Sequence, residues 1–121
     1  MNDTKCKCGC GMDIKPEMKF MLESIERDMK AKRGDEYQLF ITSGARCDKY
    51  NATIPGSKPN DAHTLGLAAD IRVQDSNEAY LILSLSLSRG IKRIGNGQNK
   101  GYFHIDIAQD ERFQKFVIWH Y

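Results

Sequence analysis

Apolar residues recur at steps of three and four through PEMKFMLESIERDMKAKRG. Met18, Met21, Leu22, Ile25 and Met29 fall on one stripe, which predicts a helix beginning at Pro16. Proline suits the first turn, and Gly34 is placed to stop the helix. The period then changes to two. In YQLFITS (37–43), Leu39 and Ile41 share one face and Phe40 and Thr42 the other, as in a strand. Periodicity is lost over GARCDKYNATIPGSKPND (44–61), where Pro55, Gly56 and Pro59 mark irregular backbone around a short helical turn near 48–52. LAADIRV (67–73) predicts a strand buried on both faces. SNEAYLILSLSLSRG (76–90) predicts a helix capped by Ser76 and stopped by Gly90; its LSLSLS run alternates like a strand, but its length and end signals favour helix. IKRIG and GYFHIDI (101–107) predict two strands joined by the turn NGQNK, and the tail FQKFVIWHY returns to apolar residues. With no repeat and no linker, the expected architecture is α+β: a single domain over residues 1–121, with two helices against a small, largely antiparallel sheet.

Composition narrows the function classes. At 121 residues the chain is long enough for one core, and 40% apolar with 28% charged residues is usual for a soluble globular protein. A net charge of +2 and the lack of a basic stripe with interleaved aromatics argue against a nucleic-acid partner. The basic run KAKR (30–33) reads as the charged end of a helix. No apolar run approaches the roughly 18–20 residues of a membrane span, and MNDTKCKCG lacks the apolar segment of a signal peptide. The expected place of synthesis is the cytoplasm, with any extracytoplasmic role reached by another export route or by lysis. Oligomeric state is left open.

Candidate chemistry begins in DAHTLGLAAD, where Asp70 follows His63 by seven positions. Two ligands of one zinc ion each lie about 2 Å from it. Seven residues span about 10 Å of helix, or more than about 20 Å of strand, so both can bind one ion only if the chain folds back between them. Gly66 could permit that bend. In YFHID, strand alternation puts His104 and Asp106 on one side, with Phe103, Ile105 and Ile107 facing the core. Such a pair could be an ion pair at a solvent-facing edge. Alternatively, two histidines and one aspartate would give the ligand count of a catalytic zinc site with its fourth position open. The cysteines, Cys6, Cys8 and Cys10 in CKCGCG plus Cys47, fit reduced thiols, a disulfide to Cys47 or a structural zinc site.

Three motifs in order, ITSGARCDKYN, DAHTLGLAADI and FHIDI, resemble the signatures of the zinc D-alanyl-D-alanine carboxypeptidases, peptidase family M15, and in particular its small phage and prophage members. CKCGCG and the closing IWHY also resemble family features. The resemblance implies a hedgehog-like zinc peptidase fold, zinc on His63, Asp70 and His104, and a peptidoglycan stem peptide as substrate. It also implies that Arg46 stands near the metal, where its fork of donors suits a carboxylate or a developing oxyanion. Ser43 and Asn51 match loop-shaping positions. Asp61 is expected either to bond the His63 imidazole or to cap a local turn.

Two departures bear on activity. Ala45 replaces a common tyrosine, which affects the expected pocket wall. Gly101 stands where well-studied members carry an acidic general base. Asp106 is the expected replacement, because it shares the face of His104, with His120 behind it; Asp106 could equally support His104 or act elsewhere in the zinc site. The expected function is hydrolysis of wall peptides, as a carboxypeptidase or an endopeptidase. The alternative is a non-catalytic zinc-containing domain that binds the wall or a protein.

Overall fold

The computed structural model describes residues 1–121. In chain order the elements are α1 (Pro16–Arg33), β1 (Ile41–Ser43), α2 (Asp48–Asn51), β2 (Ala68–Arg72), α3 (Ser76–Ser88), β3 (Arg93–Gly97), a 3-10 turn (Gln98–Lys100), β4 (Tyr102–Asp106) and β5 (Val117–His120). The five strands form one sheet in the order β1-β2-β4-β3-β5, antiparallel except for the β3–β5 pair. The α+β class and the largely antiparallel sheet follow the sequence pattern. No helix is long and apolar enough to cross a membrane.

Helix α1 buries Met18, Leu22, Ile25 and Met29 and ends at Gly34, whose φ of 107° suits glycine. Each fully buried side chain of this kind contributes about 1.5–3 kcal/mol. These residues join Ile82 and Leu85 of α3 and the core-facing side chains of the sheet: Ile41, Ala69, Ile71, Ile94, Phe103 and Ile105. Both long helices therefore cover one face of the sheet. The opposite face is left for chemistry.

The cap of helix α3 lies one residue before the expected one. Asp75, not Ser76, is the N-cap, and its carboxylate accepts the Glu78 N–H at 2.7 Å. Glu78 in turn accepts the Gln74 N–H and the Tyr37 hydroxyl, both at 2.7 Å. Asp75→Ala is expected to lower unfolding free energy by about 1 kcal/mol, read as a shift of the urea midpoint with unchanged slope.

Two strands depart from their patterns: β1 is shorter, and β3 is shifted toward the turn. Residues 37–40 lie outside β1; the Phe40 carbonyl accepts the Arg72 N–H at 2.8 Å, and side chains bond the neighbouring backbone at this edge. Leu39 N–H donates to Glu26 Oε2 at 2.9 Å, and Asn2 bonds both the N–H and the C=O of Ile41. At the other end of the sheet, Asn96 and Gly97 belong to β3 and not to the turn. The turn is the 3-10 segment, closed by Gly101 at φ 86°.

Candidate metal centre

The face of the sheet away from the helices carries a row in register across four strands: Asp70 on β2, His104 on β4, Gly95 on β3 and Trp119 on β5. The next row places Asp106 opposite Arg93. His63 reaches this face from the loop before β2. Gly66, at φ 72°, turns the chain back and is pinned when its carbonyl accepts the Lys15 N–H at 2.8 Å. The bend required by the seven-residue spacing is thus present.

His63, Asp70 and His104 are all buried, and their ligand atoms lie within 4.8 Å of one another. Asp70 Oδ1 is 3.3 Å from His63 Nε2 and 3.0 Å from His104 Nδ1. His63 Nδ1 sits 2.8 Å from the Gly44 carbonyl oxygen, which can only accept, so the hydrogen is on Nδ1. In the neutral ring, Nε2 then turns a lone pair toward a carboxylate oxygen. Two acceptors facing each other call for a cation between them. His104 is fixed the same way: its Nε2–H donates to Asp106 Oδ2 at 2.7 Å, which leaves Nδ1 for the shared point. Two imidazole nitrogens and a carboxylate, each oriented from behind, form a donor set suited to zinc. These three residues could hold the ion.

Electrostatics reinforce the arrangement. Burial alone would raise the Asp70 carboxyl, but the bonds to His104 and His63 reverse this and hold it far below the usual carboxylate range. Burial would likewise lower His104, yet Asp106 and Asp70 hold its imidazole up at about 9. A metal binding at Nδ1 would displace the proton that these carboxylates favour on the ring.

Asp106 shares the side of His104, as alternation requires, but its oxygens are committed. Oδ2 takes the His104 bond, while Oδ1 accepts Arg93 Nε at 2.8 Å and the Ala108 N–H at 3.2 Å. Its side chain has no solvent exposure. The expectation that it serves as general base meets a physical obstacle, since its position suits orienting His104. Asp106→Asn is expected to weaken zinc binding by about 10–100-fold with an intact fold, measured by competition with a chelator. His120 is no substitute. It pairs with Asn96 in the register that belongs to the core-facing side of β3. Gly101 accepts the Val73 N–H at 2.8 Å in a left-handed conformation that a side chain would strain.

Arg46 lies beside the centre. Its Nε donates to Ser43 Oγ at 3.1 Å and a terminal nitrogen to Asn51 Oδ1 at 3.3 Å; the other terminal nitrogen is 3.7 Å from Asp70 Oδ2. Ser43 and Asn51 therefore hold this guanidinium. Asp61 caps the local turn by accepting the Thr64 N–H at 3.1 Å, and the group that bonds His63 is the Gly44 carbonyl. Ala45 is buried in the main core and forms no part of the pocket wall.

The centre opens into a cleft of about 690 Å³. One wall is the loop 54–60; the other carries Tyr102, Phe113, Trp119 and Tyr121. The aromatic wall needs Gly95, where a Cβ would lie 2.7 Å from Tyr121 and 2.8 Å from Trp119. The Trp119 ring lies tilted at 5.3 Å from His104, and Tyr121 likewise at 5.2 Å from Tyr102. None of these aromatics stood out in the sequence. The available signal was alternation, which puts Trp119 and Tyr121 on one side of the tail and Tyr102 on the side of His104.

A family model described as Peptidase M15 matches residues 1–106, ending at the last residue of β4. No curated protein and no solved structure matches the chain. With a match over most of its length, the chain belongs to the peptidase M15 family of zinc-dependent metallopeptidases, which act on peptides.

Proposed function

We propose that the protein hydrolyses peptide bonds in bacterial peptidoglycan stem peptides, with zinc held by His63, Asp70 and His104. The observation that carries this reading is Arg46, braced by Ser43 and Asn51 and set 3.7 Å from Asp70 at the head of the cleft. Lys58, Lys100 and Arg112 also line the cleft, giving it a cationic margin suited to a peptide with free carboxylates. Zinc bound at the centre supplies Lewis acidity, which acidifies water and polarises the scissile carbonyl. Arg46 binds the substrate carboxylate or the carbonyl oxygen as negative charge develops there. Asp106 holds His104 in the tautomer that presents Nδ1, and the Gly44 carbonyl does the corresponding task for His63. The aromatic wall shields one side of the cleft from water. We assign proton transfer to Asp61, the cleft carboxylate outside the ligand set and outside the Asp106–His104 bond, whose Oδ1 accepts the Thr64 N–H and whose Oδ2 lies 3.8 Å from an Arg46 terminal nitrogen.

The test is incubation of zinc-loaded protein with purified peptidoglycan, followed by chromatography and mass spectrometry of the soluble products. New free amino groups and a defined set of shortened peptides are expected. Release of D-alanine alone marks a carboxypeptidase, and release of internal fragments marks an endopeptidase. A second reading, a zinc domain that binds the wall without cutting it, draws on the lack of an acidic residue at Gly101 and the engagement of Asp106. Wall binding by the zinc-loaded protein with no product from any stem peptide would favour it.

A further inference from the structure

Four sulfurs meet beside the Arg46 loop, three from the N-terminal segment and one from Cys47. Cys6 Sγ lies 3.5 Å from Cys8 Sγ and 3.8 Å from Cys47 Sγ, and Cys8 and Cys47 are 3.6 Å apart. Together with Cys10, all four sulfurs fall within 4.8 Å of one another. Zinc–thiolate bonds of about 2.3 Å arranged tetrahedrally place sulfurs about 3.8 Å apart along each edge. The observed separations match that edge. They exceed the roughly 2.05 Å of a disulfide, which would in any case join sulfurs only in pairs.

We infer that Cys6, Cys8, Cys10 and Cys47 form a second metal centre, a closed tetrathiolate zinc site that fastens the N-terminal segment to the Arg46 loop. Alternate residues of an extended chain are about 6.6 Å apart, so Cys-x-Cys-x-Cys cannot surround one ion as a strand. Gly9 at φ 85° and Gly11 at φ 88° curl the segment, and the Cys6 N–H closes it by donating to the Met12 carbonyl at 2.8 Å. Backbone donors are also aimed at sulfur. Cys47 N–H donates to Cys6 Sγ at 3.4 Å, and Tyr50 N–H donates to Cys47 Sγ at 3.3 Å, contacts that favour thiolates. Binding of one zinc ion releases four thiol protons and leaves a dianionic centre. With four protein ligands and no open position, its role is structural.

That role bears on the first centre. The Thr4 carbonyl accepts the Ala45 N–H at 3.0 Å, and a Cβ on Gly44 would meet that same carbonyl oxygen at 2.2 Å. The segment fastened by the cysteines thus packs on residues 44–46, which supply both the carbonyl that orients His63 and the arginine. The inference does not rest on the proposed substrate, and a protein inactive on every wall peptide could still carry two zinc ions.

Native mass spectrometry and elemental analysis of the full chain, purified with reductant and zinc, test it. Two zinc ions per chain are expected. His63→Ala should keep one, and Cys8→Ser/Cys10→Ser should lose one while the histidine site stays filled. Cobalt-loaded protein should show intense thiolate-to-cobalt charge-transfer absorption, retained in His63→Ala and absent from the double cysteine variant. If that variant does not fold, the wild-type metal count and cobalt spectrum decide the matter. One zinc per chain with four thiols open to Ellman's reagent would overturn the inference. So would a cysteine-linked peptide in place of the second zinc.

Discussion

His63→Ala is expected to remove the zinc of the histidine centre and to lower turnover of wall peptides by about 10³-fold or more, since Lewis-acid stabilisation is worth several kcal/mol. The expectation follows from how few atoms define the site. His63 Nε2, Asp70 Oδ1 and His104 Nδ1 are the converging donors, and alanine leaves two of them. The loss should be local. His63 lies in the loop before β2, outside both long helices, so far-ultraviolet circular dichroism should be unchanged. Total zinc should fall by one equivalent, and with a filled cysteine centre one equivalent should remain. Full zinc content and full activity in this variant would remove His63 from the ligand set.

Arg46→Lys should act differently. Zinc content is expected to stay at the wild-type value while kcat/KM falls by about 10²–10³-fold, the usual loss when one oxyanion donor is removed. Charge is retained, so the defect isolates geometry. The guanidinium reaches Ser43 Oγ, Asn51 Oδ1 and the edge of Asp70 from one planar group, whereas an ammonium is a point charge on a flexible stem. A truncated substrate lacking the terminal carboxylate separates the two tasks assigned to Arg46. If the arginine binds the carboxylate, the variant and the wild type should converge on that substrate. If it stabilises the oxyanion, the gap should persist. Wild-type kcat/KM in Arg46→Lys on the intact peptide would place Arg46 outside the reaction.

Local periodicity carries much of this fold. The stripe Met18, Leu22, Ile25, Met29 names the buried face of α1 because a helix on a single core must present one apolar side. Alternation in YFHID likewise puts His104 and Asp106 on one side. Side-chain direction is a different matter. Alternation cannot say which imidazole nitrogen meets which carboxylate, and that choice separates an orienting Asp106 from a general base. The row Asp70–His104–Gly95–Trp119 is also hidden, because it depends on register between strands distant in sequence. Residues 37–40 read as strand by pattern, yet Glu26 takes the Leu39 N–H and Asn2 takes the backbone of Ile41 at the start of β1, contacts that no local window contains. The cysteines show the same limit. Their spacing resembles no common zinc motif, and their convergence rests on two left-handed glycines and a partner about forty positions away.

One zinc ion is expected among His63, Asp70 and His104 at the head of the cleft. Anomalous diffraction from zinc-loaded crystals, recorded on either side of the zinc absorption edge, measures this directly. The expected result is a peak bonded to His63 Nε2, Asp70 and His104 Nδ1, with Asp106 on the far nitrogen of His104 and outside bonding distance. A peak coordinated by Asp106, or no anomalous density among these three residues in zinc-saturated crystals, would contradict it.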